Sequence, residues 1–310
     1  MTRRSGRAAA PATVGERLRT IEQRFARARL VYGHGTHNAG EEAAWLVCHV
    51  LRLPFDRLPG AAGRPLAARD AKRLDALAAR RIRAREPLAY VLREAWLQRR
   101  RFYVDRRVIV PRSHIAELLF GGLSAWLPER GPGRVLDLCT GSGCLAILAA
   151  QAFPGARVDA SDVSPAALAV AGRNVGAYRL RRRIRLVRAD VLAGLGTARY
   201  DLILCNPPYV PAADMRRLPK EYRHEPRVAL ASGRDGLDFV RRLLAEAHRH
   251  LAPRGVLVVE IGGGRRVLER AFPRLAFTWL AASGAEDAVF AITREALPIG
   301  TSASASRRRK

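Results

Sequence analysis

Beyond Arg112 the chain alternates short apolar runs with helical stretches, and this alternation limits its fold more than any other feature. Val135-Leu136-Asp137-Leu138, Ala156-Arg157-Val158-Asp159-Ala160, Ile184-Arg185-Leu186-Val187, Leu202-Ile203-Leu204-Cys205 and Val256-Leu257-Val258-Val259-Glu260 read as strands. Mostly apolar strands separated by helical segments imply βαβ units and a parallel sheet covered on both faces. Two later runs, 277–280 and 288–293, flank a turn containing Gly284. They could close the sheet with an antiparallel pair, giving a seven-stranded, mainly parallel α/β domain over 113–297.

The segment before it has another period. Over 12–95 apolar residues recur at three and four, as in Ala43, Ala44, Val47, Cys48 and Leu51, with Pro54 and Pro59-Gly60 as punctuation. A small helical domain is expected there. Over 96–112, Phe102-Tyr103-Val104 and Arg107-Val108-Ile109-Val110 read as two strands around Asp105-Arg106, a β-hairpin linker. Residues 1–11 read as a flexible start, and the Ser/Ala-rich stretch 298–310, ending in four basic residues, as a disordered basic tail.

The 310-residue chain carries a formal net charge of +27, which invites a polyanionic partner. Of its 55 basic residues only Lys72, Lys220 and Lys310 are lysines, an arginine skew that a GC-rich genome also produces. Local clusters therefore matter more than the total. Arg80 to Arg112 holds eleven arginines against Glu86, Glu94 and Asp105, and Arg173 to Arg188 holds seven with no acid. Each could contact ribosomal RNA or an acidic protein face, or be a solvated surface. Four scattered cysteines (Cys48, Cys139, Cys144, Cys205) suit buried free thiols in a reducing cytoplasm rather than disulfides or a metal site. No run of about 18 apolar residues is present to span a membrane. The basic start lacks the apolar core of a secretory signal, although an organellar transit peptide would share its character. Trp45, Trp126 and Trp279 are expected in the core, and His224 as a hydrogen-bonding scaffold.

Two loops carry the chemistry. The first strand ends in Asp137-Leu138-Cys139-Thr140-Gly141-Ser142-Gly143, with a helix from about Cys144. Glycine lets the backbone turn sharply and a ligand approach, and the helix start offers amides to an anion. Asp162, ending the next strand, suits ribose hydroxyls; Asp190, ending the third, suits an adenine amine. Both could instead cap helices. Gly141-Ser142-Gly143-Cys144-Leu145-Ala146 also fits a nicotinamide fingerprint, but Asp137 suits the cationic aminoacyl end of S-adenosylmethionine better than a pyrophosphate.

The second loop is Asn206-Pro207-Pro208-Tyr209, after the fourth strand, at the edge where doubly wound sheets bind ligands. A diproline restricts the backbone, so Asn206 and the Pro207 carbonyl can be held in fixed directions. The Asn206 oxygen and that carbonyl can accept the two hydrogens of a planar –NH2 group while Tyr209 packs on its plane. The same loop could serve a carboxamide or the amine of adenine. No metal or covalent nucleophile is required.

With these motifs in order, the sequence resembles the HemK/Prm family of protein glutamine N5-methyltransferases over nearly its whole length. The likeness rests on Glu86-Pro87-Leu88-Ala89-Tyr90, on Val110-Pro111-Arg112 followed by Glu117-Leu118, and on the two loops above. It implies an N-terminal helical bundle, a β-hairpin and a Rossmann-like domain binding S-adenosylmethionine through Asp137, Thr140, Gly141, Gly143, Asp162, Asp190 and Asn206. It further implies a substrate glutamine held by Asn206 and Pro207 beside Tyr209. Glu221-Tyr222-Arg223-His224-Glu225-Pro226, and Ala95-Trp96 with Phe102-Tyr103-Val104, are similar to the branch that acts on the third large-subunit ribosomal protein. Ser113-His114-Ile115-Ala116 stands where the release-factor branch carries Pro-Glu-Thr. The alternatives are release-factor glutamine methylation and N6-adenine methylation of nucleic acid, the latter expected to need a separate base-flipping element.

Overall fold

In the computed structural model residues 12–284 and 286–299 are described; the start expected to be flexible and most of the stretch expected to be a disordered tail lie outside them. The chain divides into two units, the first running to Glu94 and including Pro219–His224, the second holding Ala95–Leu218 and the chain from Glu225 onward.

The first unit is built from α1 (Val14–Arg27), α2 (Ala39–Leu51), α3 (Leu58–Ala61), α4 (Ala68–Ala84) and α5 (Leu88–Leu92). Thr13 and Glu16 start α1 as a reciprocal capping box, and the Asn38 side chain caps α2. Ile21, Phe25, Leu46, Leu74 and Leu88 form its apolar interior. Charge is buried there too. Arg81 donates to Glu42 at 3.0 Å, and Arg85 pairs at 2.8 Å with Glu221, which also accepts from the Val31 amide at 3.0 Å. Burial pushes the Glu42 carboxyl above its ordinary range, against the pull of Arg81. Trp45 is buried and donates to Glu94, while the His224 ring pairs with the Ala84 carbonyl.

The second unit opens with a hairpin, β1 (Ala95–Leu97) and β2 (Arg100–Phe102). The two strands read at 102–104 and 107–110 are not formed; the hairpin lies earlier. Gln98 and Arg99 both adopt positive φ, 47° and 58°, the pattern of a two-residue hairpin turn. Val104, Val108 and Val110 are apolar because they are buried, not because they pair in a ladder.

Next come α6 (Ile115–Leu118), β3 (Arg134–Leu138), α7 (Cys144–Ala152), β4 (Arg157–Asp162), α8 (Pro165–Ala177), β5 (Ile184–Arg188) and β6 (Tyr200–Cys205). They are followed by α9 (Ala212–Met215), α10 (Asp238–His250), β7 (Leu251–Glu260), α11 (Arg265–Ala271), β8 (Thr278–Leu280) and β9 (Val289–Thr293). The sheet order is β5-β4-β3-β6-β7-β9-β8, parallel except at β9, which runs against both β7 and β8. This is the Rossmann-like, seven-stranded arrangement. Alternate residues feed two cores: Val135, Leu202 and Val258 pack with α7, and Leu136, Ile203 and Leu257 pack with α10. Trp126 and Trp279, expected in the core, are partly buried and pack against these two cores. No described helix is long and apolar enough to cross a membrane.

Some arginines of the two rich stretches are struts of the fold, while most are exposed. Arg80, Arg81, Arg85, Arg107 and Arg112 pair with Glu86, Glu42, Glu221, Asp105 and Glu225. In the second stretch Arg183 donates to the Ala150, Phe153 and Ala156 carbonyls, and Arg185 pairs with Asp159.

Candidate active site

Strand order reverses between β3 and β6, so the loops leaving their carboxyl ends part there and leave a crevice. A cavity of about 400 Å³ occupies it, within the range of small-molecule sites. Gly141, Asp162, Asp190 and Asn206 line it among apolar groups that include Leu138, Ala167 and Phe239.

The loop after β3 turns at Cys139, Gly141 and Gly143, with φ of 59°, 52° and 79°. A Cβ on Gly143 would stand 3.1 Å from the Ala171 Cβ, so glycine there also lets α7 approach α8. Asp137 holds this turn from inside. Its Oδ2 accepts from Thr140 Oγ1 at 2.5 Å and from the Ala146 amide at 2.9 Å, capping the start of α7. Burial pushes its carboxyl up to about 7, against those two donors. Its Oδ1 is buried with no partner among the described residues.

At the end of β4, Asp162 accepts from the Gly141 amide at 3.0 Å and the Ser164 amide at 2.9 Å. It lines the cavity, and burial raises its pKa against the pull of the Ser164, Gly141 and Val163 amides. Ser164, not Asp162, caps α8. Asp190 lies at the rim, its carboxylate in a two-pronged pair with Arg242 at 3.0 and 2.9 Å that holds its pKa below the ordinary value. A tight turn follows it rather than a helix, so the capping alternative does not apply.

Asn206 is reached directly from β6. Its Nδ2 donates to the Arg112 carbonyl at 3.3 Å, and its Oδ1 is buried without a partner among the described residues. An orphaned buried acceptor is unfavourable by about 1–3 kcal/mol, which a donor on a ligand would relieve. Asn206, Pro207 and Tyr209 line a narrow side cavity with Ile109, Arg112 and Leu230. The Tyr209 ring lies against Gly262, where a Cβ would make a tight contact, and its carbonyl against Gly236, where a Cβ would collide. Val210 exchanges hydrogen bonds with the Leu230 carbonyl and the Ser232 amide, pinning the loop's exit.

Of the residues picked from sequence, Gly141, Asp162, Asp190 and Asn206 meet at the main cavity, and Asn206, Pro207 and Tyr209 meet at the side one. Asp137, Thr140 and Gly143 do not line either; they shape the wall from behind. Sequence reading overlooked three supports. Glu225, wholly buried, accepts from the Val110 amide at 2.9 Å and from the Arg112 guanidinium at 2.6 and 2.7 Å. Asn174 bonds the Ser142 and Tyr103 carbonyls and the Tyr103 amide, tying the glycine loop to the hairpin's exit. Glu260, at the end of β7, accepts from Ser113 Oγ and the His114 amide at 2.7 and 2.9 Å. Glu225 and Glu260 carried a signal, as acids next to structured motifs; Asn174, a polar residue inside a helix, carried none. Among the described residues no group of three or more His, Cys, Asp and Glu is gathered as for a metal.

Comparison with known proteins places these features in a family. Residues 122–220 match the methyltransferase small domain, and residues 18–92 match the PrmC N-terminal domain. The ribosomal protein uL3 glutamine methyltransferase of Bordetella pertussis is 52% identical over 289 residues, 92% of this chain and 96% of that protein. Its namesake in Neisseria meningitidis serogroup B is 50% identical over 92% of this chain and 94% of its own. That of Bradyrhizobium diazoefficiens is 48% identical over 90% and 89%.

Proposed function

The chain belongs to the family of ribosomal protein uL3 glutamine methyltransferases, and we propose that it methylates the side-chain nitrogen of one glutamine in uL3. The observation that carries this reading is the orphaned Asn206 Oδ1, a buried acceptor on a residue that lines both the main crevice and a narrow cavity beside it. Such an atom calls for a donor, and a carboxamide brings two. Asn206 Oδ1 and the Pro207 carbonyl accept the two N–H groups, and the Tyr209 ring packs against the amide plane. Held so, the nitrogen has its face turned toward the main cavity, and orientation supplies most of the rate enhancement. Transfer would form the nitrogen–methyl bond as the donor's sulfonium–methyl bond breaks to leave a thioether, and the nitrogen would release one proton to water.

S-adenosylmethionine, the methyl donor, supplies an electrophilic sulfonium methyl when bound. The residues present fit it. Asp162, a carboxylate lining the cavity at the end of β4, would take the ribose hydroxyls. Asp190 at the rim would receive the adenine amine, Gly141 leaves room for the backbone approach, and Leu138, Ala167 and Phe239 supply apolar walls. Asp137, Thr140 and Gly143 would keep the loop in shape for the aminoacyl end. The four cysteines are free thiols, which fits a cytoplasmic enzyme working where ribosomes are made. The exposed Arg179, Arg181 and Arg182 beyond the end of α8 would be a surface for contact with ribosomal RNA if the substrate is met in a ribosomal particle.

Incubation with labelled cofactor and ribosomal proteins should mark uL3 on one glutamine, located by mass spectrometry. Asn206→Ala should cut that transfer by about 10³-fold or more while leaving the protein folded. Label confined to a release factor or to nucleic acid would refute the reading.

A further inference from the structure

We infer that the pair of Arg112 with the buried Glu225 is a positioning device that fixes which end of the Asn206 amide meets the substrate, and so makes the site select a carboxamide over a carboxylate. The inference rests on the functional reading above and deepens it. A side-chain amide is nearly symmetric in shape, and half a turn exchanges its donor and acceptor ends. Only a partner of fixed polarity at one end decides the matter. That partner is the Arg112 carbonyl, which can only accept, so Nδ2 points to it and Oδ1 is left as a buried acceptor without a partner among the described residues. A glutamine presents N–H groups to Oδ1; a glutamate presents lone pairs, acceptor facing acceptor.

The Arg112 carbonyl owes its place to Glu225. The Glu225 side chain is fully buried and grips residues 110–112 twice, through the Val110 amide and through both terminal nitrogens of Arg112. The Arg112 guanidinium also returns a bond to the Val110 carbonyl at 3.2 Å, so the three residues form a closed clasp. A two-pronged guanidinium–carboxylate pair fixes geometry as well as distance, which a lysine could not reproduce. Without the clasp the carbonyl shifts and the Asn206 amide can turn, offering Nδ2 to the cavity. The site would then lose its acceptor for glutamine and gain a donor for a carboxylate oxygen.

The test uses the full-length wild type, Glu225→Gln and Arg112→Lys, with intact uL3 and a uL3 variant carrying glutamate at the modified glutamine. Steady-state kinetics give kcat and KM for the first, competition binding gives the affinity for the second, and cofactor affinity and thermal midpoint identify the folded variants. Wild type should prefer the glutamine form by at least about tenfold, because an acceptor facing an acceptor is strongly rejected. In both variants kcat should fall by about tenfold or more with cofactor affinity within about twofold, and the preference should shrink toward one. Arg112→Lys supplies the answer should Glu225→Gln not fold. Folded variants that keep the wild-type preference would overturn the inference, even if they are slower. Wild type that leaves uL3 unmodified would overturn the functional reading instead, and the binding preference would still decide the clasp.

Discussion

Asn206 and Asp137 show how much of a site can be read from residue types and how much depends on what surrounds them. An asparagine before a diproline is visible in the sequence, and so is its capacity to hold a planar amide. That its oxygen has no partner, while its nitrogen is held by a carbonyl 94 residues away in sequence, is not visible. Asp137 was read as a carboxylate aimed at a cationic ligand, yet it lies inside the fold, where it caps α7 and holds Thr140. Its environment also sets a pH dependence. With the folded carboxyl raised to about 7 from an ordinary 3.8, the native state keeps a proton that the unfolded chain releases across that window. Stability from this group is therefore greatest below about pH 4 and declines as pH rises to about 7. Asp137→Asn keeps the acceptor for Thr140 and Ala146 but cannot ionise. Thermal midpoints of variant and wild type, compared from pH 4 to pH 8, should move in the variant's favour with rising pH. A constant difference across the range would show that Asp137 does not titrate there.

At the scale of elements, strands and helices were legible wherever their burial followed one period. The five parallel strands and the closing antiparallel pair alternate between two cores, and that alternation is written directly in the sequence. The hairpin was misplaced because Val104, Val108 and Val110 are buried as irregular chain, and burial alone mimics a strand pattern. The turn that does form uses Gln98-Arg99 in positive φ, which neither residue type announces. The glycine loop was legible in composition, but its geometric demand is specific. Gly143→Ala would place a Cβ in a backbone at φ 79° and 3.1 Å from the Ala171 Cβ. It should destabilise the protein by about 1–3 kcal/mol, more than a surface glycine replacement would. Equilibrium denaturation would measure the loss, and cofactor affinity should weaken with it, because the α7–α8 contact and the cofactor loop share this residue. Gly155→Ala, open to space, is the matched control.

On the whole-molecule scale, most arginines of the two clusters are exposed, yet Arg81 and Arg85 pair with acids buried in the first unit. The first unit is discontinuous: residues 219–224 return to it after most of the second unit's strands have passed. Glu221 supplies the negative charge that Arg85 and the Val31 amide require, 190 residues after Val31 in sequence. Sequence comparison could flag Glu221 as a branch marker but not give it this role, since nothing local links it to the helices. The consequence is an ordering of folding. The helical unit cannot complete its buried charge pairs until the chain has extended past Glu221. An isolated 12–94 fragment would hold Arg81 against Glu42 alone and leave Arg85 without its acid. In the full chain Glu221→Gln removes the charge while keeping the shape, and breaking such a buried pair destabilises by about 3–5 kcal/mol. Hydrogen exchange should show this loss at the Val31 amide and along α4, with the sheet's protection unchanged if the two units unfold separately. Wild-type protection at Val31 in Glu221→Gln, or in the 12–94 fragment, would mean that the helices hold their charges without this late segment, and the ordering would fall.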